Sequence, residues 1–299
     1  MSRESQHSPI VVQQLQERLQ GHVEKLAGEI GERNLWHPAN LVDAADYIAQ
    51  HWAILGSDVH RQEYISRGLE VANLEIELKG TRYPDEIVII GAHYDSAINS
   101  PGANDNGSGV AALLEISRFL HEKKPSRTMR FVAFTNEEPP FYRTGEMGSL
   151  VYARECKNRK ENIVAMLCLE TLGYYSDQPK SQHYPFPLGI LYPDTANFIG
   201  IVGNTKGRQL VRRLKKSFQT HSSFPVQSIA APDLLPGIGW SDHWSFWQHG
   251  YPGVMVTDTA LYRYDHYHTG ADTPDRLTYA EFAEVVAGLC LVVADLGGN

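Results

Sequence analysis

A continuous apolar run, Ile87-Val88-Ile89-Ile90, constrains the fold of this chain more than any other feature of the sequence. Successive β-branched residues without polar alternation predict a strand that is buried on both faces. A glycine-rich loop follows, then a helical apolar pattern over 109–120 and a second apolar strand over 129–134. This order of strand, loop, helix and strand predicts an α/β sheet with helices on its faces.

The same patterns extend the predicted fold to both ends of the chain. Apolar residues at three- and four-residue steps between 11 and 30 predict an amphipathic helix, and Asn40 is a suitable N-cap for a second helix. The other predicted elements are strands at 74–78, 163–169 and 253–256 and helices at 149–157, 205–220 and 280–296. We therefore predict a mixed, largely parallel central sheet flanked by helices on both faces. Residues 1–299 are expected to form one domain, with N-terminal helices, about 8–56, packed on it.

Composition limits the partners. The 299 residues are 42% hydrophobic, which is enough for a sizeable core. The formal net charge of −8 gives no long-range attraction for nucleic acid or for anionic lipid. No segment approaches the ~20 apolar residues of a membrane span. A soluble protein is expected, cytoplasmic if Met1 is the native start and secreted if a signal peptide was removed. The oligomeric state has no signature in the sequence.

Potential metal ligands follow three of the predicted strands, at the point where each strand ends. In strand order they are His93 and Asp95, then Glu137 and Glu138, then Glu170. The carboxyl ends of parallel strands meet at one edge of a sheet, which is where ligands bind. Each residue alone has an ordinary explanation as a solvated group, but their convergence predicts a metal site. Imidazole and carboxylate ligands without thiolates suit zinc, with cobalt or manganese as alternatives.

Four segments resemble the motifs of peptidase family M28, the zinc aminopeptidases and carboxypeptidases. They are Gly91-Ala-His-Tyr-Asp-Ser96, Gly102-Ala-Asn-Asp-Asn-Gly-Ser-Gly109, Asn136-Glu-Glu138 and Tyr267-His-Thr-Gly-Ala-Asp-Thr273. The segments occur in the family's order and span about residues 86–277. The resemblance implies a phosphorylase/hydrolase-like zinc exopeptidase fold and an enzyme that hydrolyses peptides or small amides with two zinc ions.

The resemblance also implies how the ligands are divided between the two ions. One ion would be held by His93 and Glu170, the other by Glu138 and His268, and Asp105 would bridge both. A shared carboxylate suits a site in which two cations repel each other across about 3.5 to 4 Å. Glu170 departs from the family, which often has aspartate at this position. The extra methylene bears on the geometry and the metal affinity of that half of the site.

Glu137 is the predicted general base, because Glu138 is already a ligand and its neighbour can face the attacking water. The same carboxyl would return the proton to the leaving amine. Tyr267 is predicted to stabilise the tetrahedral oxyanion, with Tyr262 and Tyr264 as alternative donors.

Two aspartates are expected to orient the imidazole ligands without binding the metal themselves. Asp95 lies two residues after His93 and can fix the tautomer of that ring. Asp272 could serve His268 in the same way, or could instead belong to a turn or helix start before the following proline.

The sequence leaves the reaction open among three classes. An aminopeptidase is favoured, with Glu146 or Asp258 as candidate partners of the substrate ammonium. A carboxypeptidase needs a cation for the terminal carboxylate, and Arg143 is the candidate. Glutaminyl cyclases, which are similar in fold but catalyse acyl transfer with one zinc, are the third class. A binding protein without catalysis is disfavoured because both ligands and base are present.

The substrate pocket is predicted less directly. Seven aromatic residues could line it: Phe141, Tyr142, Tyr174, Tyr175, Trp240, Trp244 and Phe246. Residues 174–193, rich in Tyr, Pro, Ser and Gln, form either a surface connection or a wall of the pocket. Asp242 and His243 are interpreted as structural or pocket-lining. A preference for large apolar terminal residues follows as a hypothesis.

Overall fold

A computed structural model describes residues 9–186 and 188–298 and contains an eight-stranded sheet. Its strands are β1 His60–Ser66, β2 Leu69–Leu78, β3 Tyr83–His93, β4 Arg127–Phe134, β5 Asn162–Leu169, β6 Ile199–Asn204, β7 Val226–Ala231 and β8 Gly253–Thr257. They lie in the order β1-β2-β4-β3-β5-β8-β6-β7. The central strands β4, β3, β5 and β8 are parallel to one another, while the pairs β1–β2, β2–β4 and β6–β8 are antiparallel. The predicted mixed, largely parallel sheet is confirmed.

Helices cover both faces of this sheet. They are α1 Pro9–Val23, α2 Pro38–Ile54, α3 Gly109–His121, α4 Gly148–Asn158, α5 Arg208–His221, α6 His243–Gln248 and α7 Tyr279–Gly297. On one face α3 contacts β3, β4 and β5, and α1 and α7 pack on α3. On the other face α4 and α6 contact each other and the strands β2, β5 and β8. α2 packs on α3 and β2.

A hydrophobic core lies on each face of the sheet, and the apolar run of β3 contributes side chains to both. Val88 and Ile90 belong to the core beneath α3 and α7, whereas Ile87 and Ile89 belong to the core beneath α4 and α6. This alternation is expected because successive side chains of a strand point to opposite faces. All four residues are buried, as the unbroken hydrophobic run predicts.

Two local predictions need correction. Asn40 does not cap the second helix, which begins at Pro38 after His37. Its side-chain amide instead donates to the carbonyls of Ile30 and Glu32, both at 2.8 Å, and so closes the preceding helix. That preceding helix is α-helical only to Val23 and continues as a π-helical turn over Glu24–Ile30. Within residues 9–186 and 188–298, every helix falls short of the length and apolar content that a bilayer crossing requires.

Candidate active site

The parallel centre of the sheet brings the predicted site residues to one edge. His93 is the last residue of β3 and pairs with Phe134, the last residue of β4, so these strands end level. Glu170 directly follows β5, and the Glu137–Glu138 pair lies just beyond β4. Asp105 comes from the turn Ala103–Ser108 before α3, and His268 from the segment between β8 and α7.

Asp105 lies between two groups of ligand atoms. His93 Nε2 is 3.3 Å from Asp105 Oδ1 and 3.3 Å from Glu170 Oε2. His268 Nε2 is 2.9 Å from Asp105 Oδ2 and 3.1 Å from Glu138 Oε2. The two oxygens of one carboxylate therefore face two separate histidine–glutamate pairs. In each group the potential ligand atoms lie within 4.8 Å of one another.

The atoms at the centre of these groups fit a cation. Five of them are buried without a hydrogen bond in the described part of the chain: His93 Nε2, Asp105 Oδ1 and Oδ2, Glu138 Oε1 and His268 Nε2. Buried polar atoms are almost always satisfied, so several that converge unsatisfied point to a missing partner of positive charge. Imidazole nitrogens with carboxylate oxygens form a donor set typical of catalytic zinc.

Burial and charge shift the pKa values at the site. Burial raises the pKa of Glu137 well above its usual range, although His93 lowers it. Burial, together with Asp105, raises the pKa of Glu138 to about 7. Burial lowers the pKa of His268, but the adjacent carboxylates of Asp105 and Glu138 outweigh it and bring the pKa to about 11. Glu137 and Glu138 are thus neighbouring buried carboxyls whose affinity for a proton exceeds that of an exposed carboxyl.

Asp95 connects the ends of β3 and β4. Its Oδ1 accepts a hydrogen bond from the backbone N–H of Glu137 and its Oδ2 accepts one from that of Glu138, both at 3.1 Å. His93 Nδ1 is 3.1 Å from the backbone carbonyl of Asp95 and 3.5 Å from Oδ1. Asp95 is thus beside His93, as expected, and it also holds the backbone of the glutamate pair.

Asp272 supports Asp105 and not His268. Its Oδ1 accepts from the backbone N–H of Asn104 at 2.8 Å, and its Oδ2 accepts from that of Asp105 at 3.0 Å. The Tyr264 hydroxyl donates to Oδ1 at 2.9 Å. Both carboxylate oxygens are therefore directed at the loop that carries Asp105. The predicted pairing of Asp272 with His268 is wrong.

The three tyrosines proposed as oxyanion donors differ in their contacts. Tyr267 stacks on His268 with ring centroids 3.9 Å apart, and burial raises the pKa of its hydroxyl well above the usual range. Tyr264 already donates its hydroxyl to Asp272. Tyr262 lines the cavity beside the site, as Tyr267 does. Of the three, Tyr267 has its ring in contact with a predicted ligand, His268.

A cavity of about 110 Å³ opens beside Glu170 and Tyr267. Its walls include Val202 of β6, Ile229 of β7 and Met255 of β8. The segment predicted as loop or pocket wall contributes several lining residues, namely Gln182, Tyr184, Pro185, Leu188 and Tyr192. That segment therefore forms part of the wall.

The predicted aromatic lining is mostly wrong. Of the seven aromatic residues singled out by sequence, Trp240 lines the cavity. Phe246 lies in the core beneath α4 and α6 with no exposed surface. The hydroxyl of Tyr142 donates to the carbonyl of Gly239 at 2.6 Å. Of the other aromatic lining residues, Tyr184 and Tyr192 belong to the segment 174–193 that the sequence offered as a wall, and Tyr262 was expected only as an alternative donor. Phe198 was missed, because it lies in an irregular segment without a periodic signal.

Both candidate partners for a substrate ammonium already accept hydrogen bonds from the protein. Oε2 of Glu146 accepts a 2.5 Å hydrogen bond from the hydroxyl of Ser66 on β1. Asp258 is fully buried, and it accepts hydrogen bonds from the Thr171 hydroxyl at 2.7 Å and the Asn104 amide at 3.0 Å. Asp258 therefore supports the loop beside Asp105.

The remaining predicted groups lie on the α6 side of the cavity. Arg143 donates from Nη2 to the carbonyl of Gly239 at 3.0 Å and has its side chain exposed. His243 is buried and has Nε2 2.8 Å from the carbonyl of Ile238. Asp242 is fully buried, and burial raises its pKa to about 7. His243 is structural, in line with its interpretation from sequence.

One residue near the ligands was not singled out by sequence. The Ser241 hydroxyl donates to Glu170 Oε2 at 2.6 Å. The same hydroxyl is 3.1 Å from the sulfur of Cys168 on β5. The segment Ser241-Asp-His243 resembles a family segment, but its interpretation from sequence concerned only Asp242 and His243, so the contact of Ser241 became visible only in the fold.

Comparison with known proteins places the chain among metallopeptidases. A family model described as peptidase family M28 matches residues 73–293. The uncharacterized protein YfbL of Escherichia coli K12 is 39% identical over 282 residues, covering 91% of this chain and 86% of YfbL. The probable aminopeptidase YDR415C of Saccharomyces cerevisiae is 29% identical and covers 74% of this chain. The chain spans 56% of that yeast protein.

Solved structures share the fold. BSAP, a zinc aminopeptidase from Bacillus subtilis, superposes with a TM-score of 0.72 at 15% identity, covering 94% of this chain and 95% of that one. A Fimbriiglobus ruber glutaminyl cyclase superposes with a TM-score of 0.69 at 20% identity, covering 93% and 94%. Similarity at this level of identity extends to the fold, so the reaction must be argued from the site.

Proposed function

The chain belongs to peptidase family M28, and from this premise we propose that it is an aminopeptidase that uses two zinc ions to remove N-terminal residues from peptides. The observation that carries the proposal is the position of Asp105, whose two oxygens face the His93–Glu170 pair and the His268–Glu138 pair. A carboxylate with both oxygens facing imidazole–carboxylate pairs is suited to bridging two cations.

In this proposal the ligands are divided by their contacts. His93 and Glu170 would hold one zinc ion, Glu138 and His268 would hold the other, and Asp105 would be shared. When bound, zinc supplies Lewis acidity to the substrate carbonyl and acidity to a bound water.

Glu137 is the proposed general base and general acid of the reaction. It takes a proton from the attacking water and delivers that proton to the nitrogen of the leaving amine, which preserves the proton count. Its carboxyl is buried, and Oε2 lies 4.0 Å from His93 Nε2, beside the proposed ligands. The backbone contacts from Asp95 hold Glu137 in this orientation.

Tyr267 is proposed to stabilise the developing oxyanion. Its raised pKa keeps the hydroxyl protonated, so it can act as a hydrogen-bond donor. Stacking on His268 fixes the ring beside the ligands. Tyr264 is less suited, since its hydroxyl donates to Asp272.

The contacts of Arg143 bear on the choice between the two ends of a peptide. Arg143, the residue a carboxypeptidase would need, is directed at the Gly239 carbonyl.

The adjoining cavity supports a preference for apolar terminal residues. Val202, Ile229 and Met255 form its inner surface, and Trp240 lies at its side. A volume of about 110 Å³ is of the size of a large aliphatic or aromatic side chain. An apolar side chain placed there would leave water with a favourable free energy.

The test is a zinc-supplemented assay on a matched panel of peptides analysed by mass spectrometry. One set has a free N-terminus, a second is N-acetylated, and a third has a C-terminal amide. The proposal expects release of the first residue from the free and the amidated sets and no cleavage of the acetylated set. Release of the last residue would establish a carboxypeptidase instead. Loss of ammonia from peptides that begin with glutamine, without cleavage, would establish a glutaminyl cyclase.

A further inference from the structure

Arg33 has a buried side chain that is surrounded by backbone carbonyls near the candidate metal site. It lies between the π-helical turn that ends at Ile30 and helix α2, outside the residues 73–293 that match the family model. Its side chain has no solvent exposure. Within residues 9–186 and 188–298, the salt bridges of the structure do not include Arg33. A buried charge of this kind is costly unless other groups satisfy it.

Backbone carbonyls satisfy the Arg33 guanidinium. Nε donates to the carbonyl of Tyr94 at 2.7 Å. Nη1 donates to the carbonyl of Pro101 at 2.5 Å, and Nη2 donates to that of Gly102 at 2.8 Å. Nη1 also contacts the carbonyl of Gly31 at 3.2 Å. One side chain therefore binds both ends of the loop 94–102, which joins β3 to the turn of Asp105.

The main chain reinforces this attachment. The Arg33 N–H donates to the hydroxyl of Ser96 at 3.1 Å, and the Ser96 N–H donates to the carbonyl of Arg33 at 2.9 Å. Gly102 has a φ of 65°, and a Cβ there would lie 2.5 Å from the carbonyl oxygen of Asp105 and 3.2 Å from Arg33 Nη2. Glycine is required at this position both for its backbone angle and for the close approach.

The same carbonyl connects Arg33 to the turn that carries Asp105. Gly102 O accepts from Arg33 Nη2 and also from the N–H of Gly107 at 3.0 Å. Burial lowers the pKa of Arg33 to about 10, so the side chain stays charged at neutral pH. The carboxylates that oppose this shift are Asp272, Asp95, Asp105 and Glu138, all members or supports of the candidate site.

We propose that Arg33 is a positioning residue for the metal centre, which fixes the loop 94–102 and so holds Asp95 and Asp105 in place for zinc. The inference rests on the proposed zinc site and adds to it a residue from the N-terminal segment. Groups that orient ligands without touching the metal commonly change metal affinity by 10- to 100-fold. Arg33 acts less directly, because it contacts the backbone of the loop and not the ligand side chains. Its positive charge also offsets the repulsion among the carboxylates before zinc binds.

The experiment compares zinc binding by the full-length protein with that by the variants Arg33→Met and Arg33→Lys. Zinc affinity is measured by competition with a chromophoric chelator, without substrate, at a temperature where circular dichroism shows every variant folded. Arg18→Met is the control, since Arg18 lies away from the site and its Nε donates to the buried carboxylate of Glu115 on helix α3 at 2.7 Å. It reports the effect of losing the contacts of an arginine side chain elsewhere in the fold.

We expect Arg33→Met to bind zinc 10- to 100-fold more weakly than the wild type. Arg33→Lys, which keeps the charge but not the planar fork, is expected to lie between the two. Excess zinc should restore most of the kcat of Arg33→Met, and Arg18→Met should keep wild-type zinc affinity.

Three results would overturn the assignment. They are wild-type zinc affinity in Arg33→Met, an equal loss of affinity in Arg18→Met, and failure of both Arg33 variants to fold, which would make Arg33 a residue of the general fold. The proposed function fails separately. If the wild type binds zinc but releases no N-terminal residue, the role of Arg33 in metal binding still stands.

Discussion

The hydroxyl of Ser241 donates a 2.6 Å hydrogen bond to Oε2 of Glu170. That same oxygen lies 3.3 Å from His93 Nε2, so the hydrogen bond acts on the atom that faces the candidate metal position. Glutamate has one more rotatable bond than aspartate, and a fixed partner reduces the freedom that this bond adds. Ser241 thus offers a physical reason why the longer side chain is compatible with the site.

Ser241→Ala should weaken zinc binding by about 10- to 100-fold, because Glu170 loses its orienting partner. Chelator competition on the purified variant measures the change. Ser117→Ala is the control, since Ser117 is also a buried serine with a hydrogen bond, from Trp52 Nε1 at 3.0 Å, away from the site. Equal zinc affinities of Ser241→Ala and wild type would show that Glu170 needs no such support.

Glu137→Gln should lower kcat by about 10² to 10⁴ while zinc remains bound, because the amide cannot accept the proton of the attacking water. Steady-state kinetics together with the zinc content of the purified variant separate these two effects. Glu70→Gln, at an exposed position on β2, is the matched control. Hydrolysis at the wild-type rate by Glu137→Gln would remove the proposed base from the mechanism.

Removal of zinc should abolish hydrolysis and lower Tm. Free zinc at about 100 times Kd stabilises a folded state that binds it by about 2.7 kcal/mol. Differential scanning calorimetry with and without added zinc, after dialysis against a chelator, measures the shift. Glu137→Gln should keep the full shift and Asp105→Asn should lose most of it, because the second variant weakens the proposed bridge. A Tm insensitive to zinc would contradict a metal site at Asp105.

Val202→Phe should narrow the cavity beside Glu170 and select against large substrates. The larger side chain occupies part of a space of about 110 Å³, and mismatches of this kind cost about 1 to 3 kcal/mol, or roughly 10- to 200-fold in kcat/KM. The comparison is between leucine- and alanine-terminated substrates of the same variant, so folding and zinc content are shared. A parallel loss for both substrates would mean that the cavity does not receive the terminal side chain.

Glu115 should make stability depend on pH below about 4.5. Burial raises its pKa, but hydrogen bonds from His22, Arg118 and Arg18 outweigh burial and lower the pKa to about 2. A carboxyl with a lower pKa in the folded state stabilises the protein above its unfolded pKa and loses that contribution as the pH falls. Glu115→Gln should therefore cost about 1 to 3 kcal/mol at pH 7. Urea unfolding at a series of pH values tests whether this difference shrinks toward pH 2.

Sequence patterns were sufficient for the parts of the fold in which burial and periodicity coincide. The run that forms β3 is apolar on both faces and was predicted correctly. β1 and β7 were missed, because β1 is a largely polar edge strand and β7 is half-exposed along most of its length. β6 contains two glycines in six residues, Gly200 and Gly203, and glycine weakens the strand signal. α6 has only six residues, too few for a helical period.

The residues of the candidate site also fall into those that sequence patterns could locate and those that they could not. Residues at strand ends, such as His93 and Glu170, could be located from the sheet alone. Asp105 and His268 lie in irregular segments, and only their resemblance to family motifs identified them. The partner of Asp272 was predicted wrongly because the direction of a side chain in a loop depends on tertiary packing. Arg33 is separated from Tyr94 by 61 positions in the chain, with no local pattern to join them.

The strand order of the sheet has a consequence for the speed of folding. The pairs β3–β4, β3–β5 and β5–β8 each join segments that are separated by a helix or by a long stretch of chain. Closing such separations costs entropy before any contact compensates for it, so parallel sheets form slowly. The edge that carries His93 and Glu170 exists only after these pairings are made. Zinc can then do little to accelerate refolding. Its effect should be on the unfolding rate, as slower unfolding and a longer lifetime of the native chain.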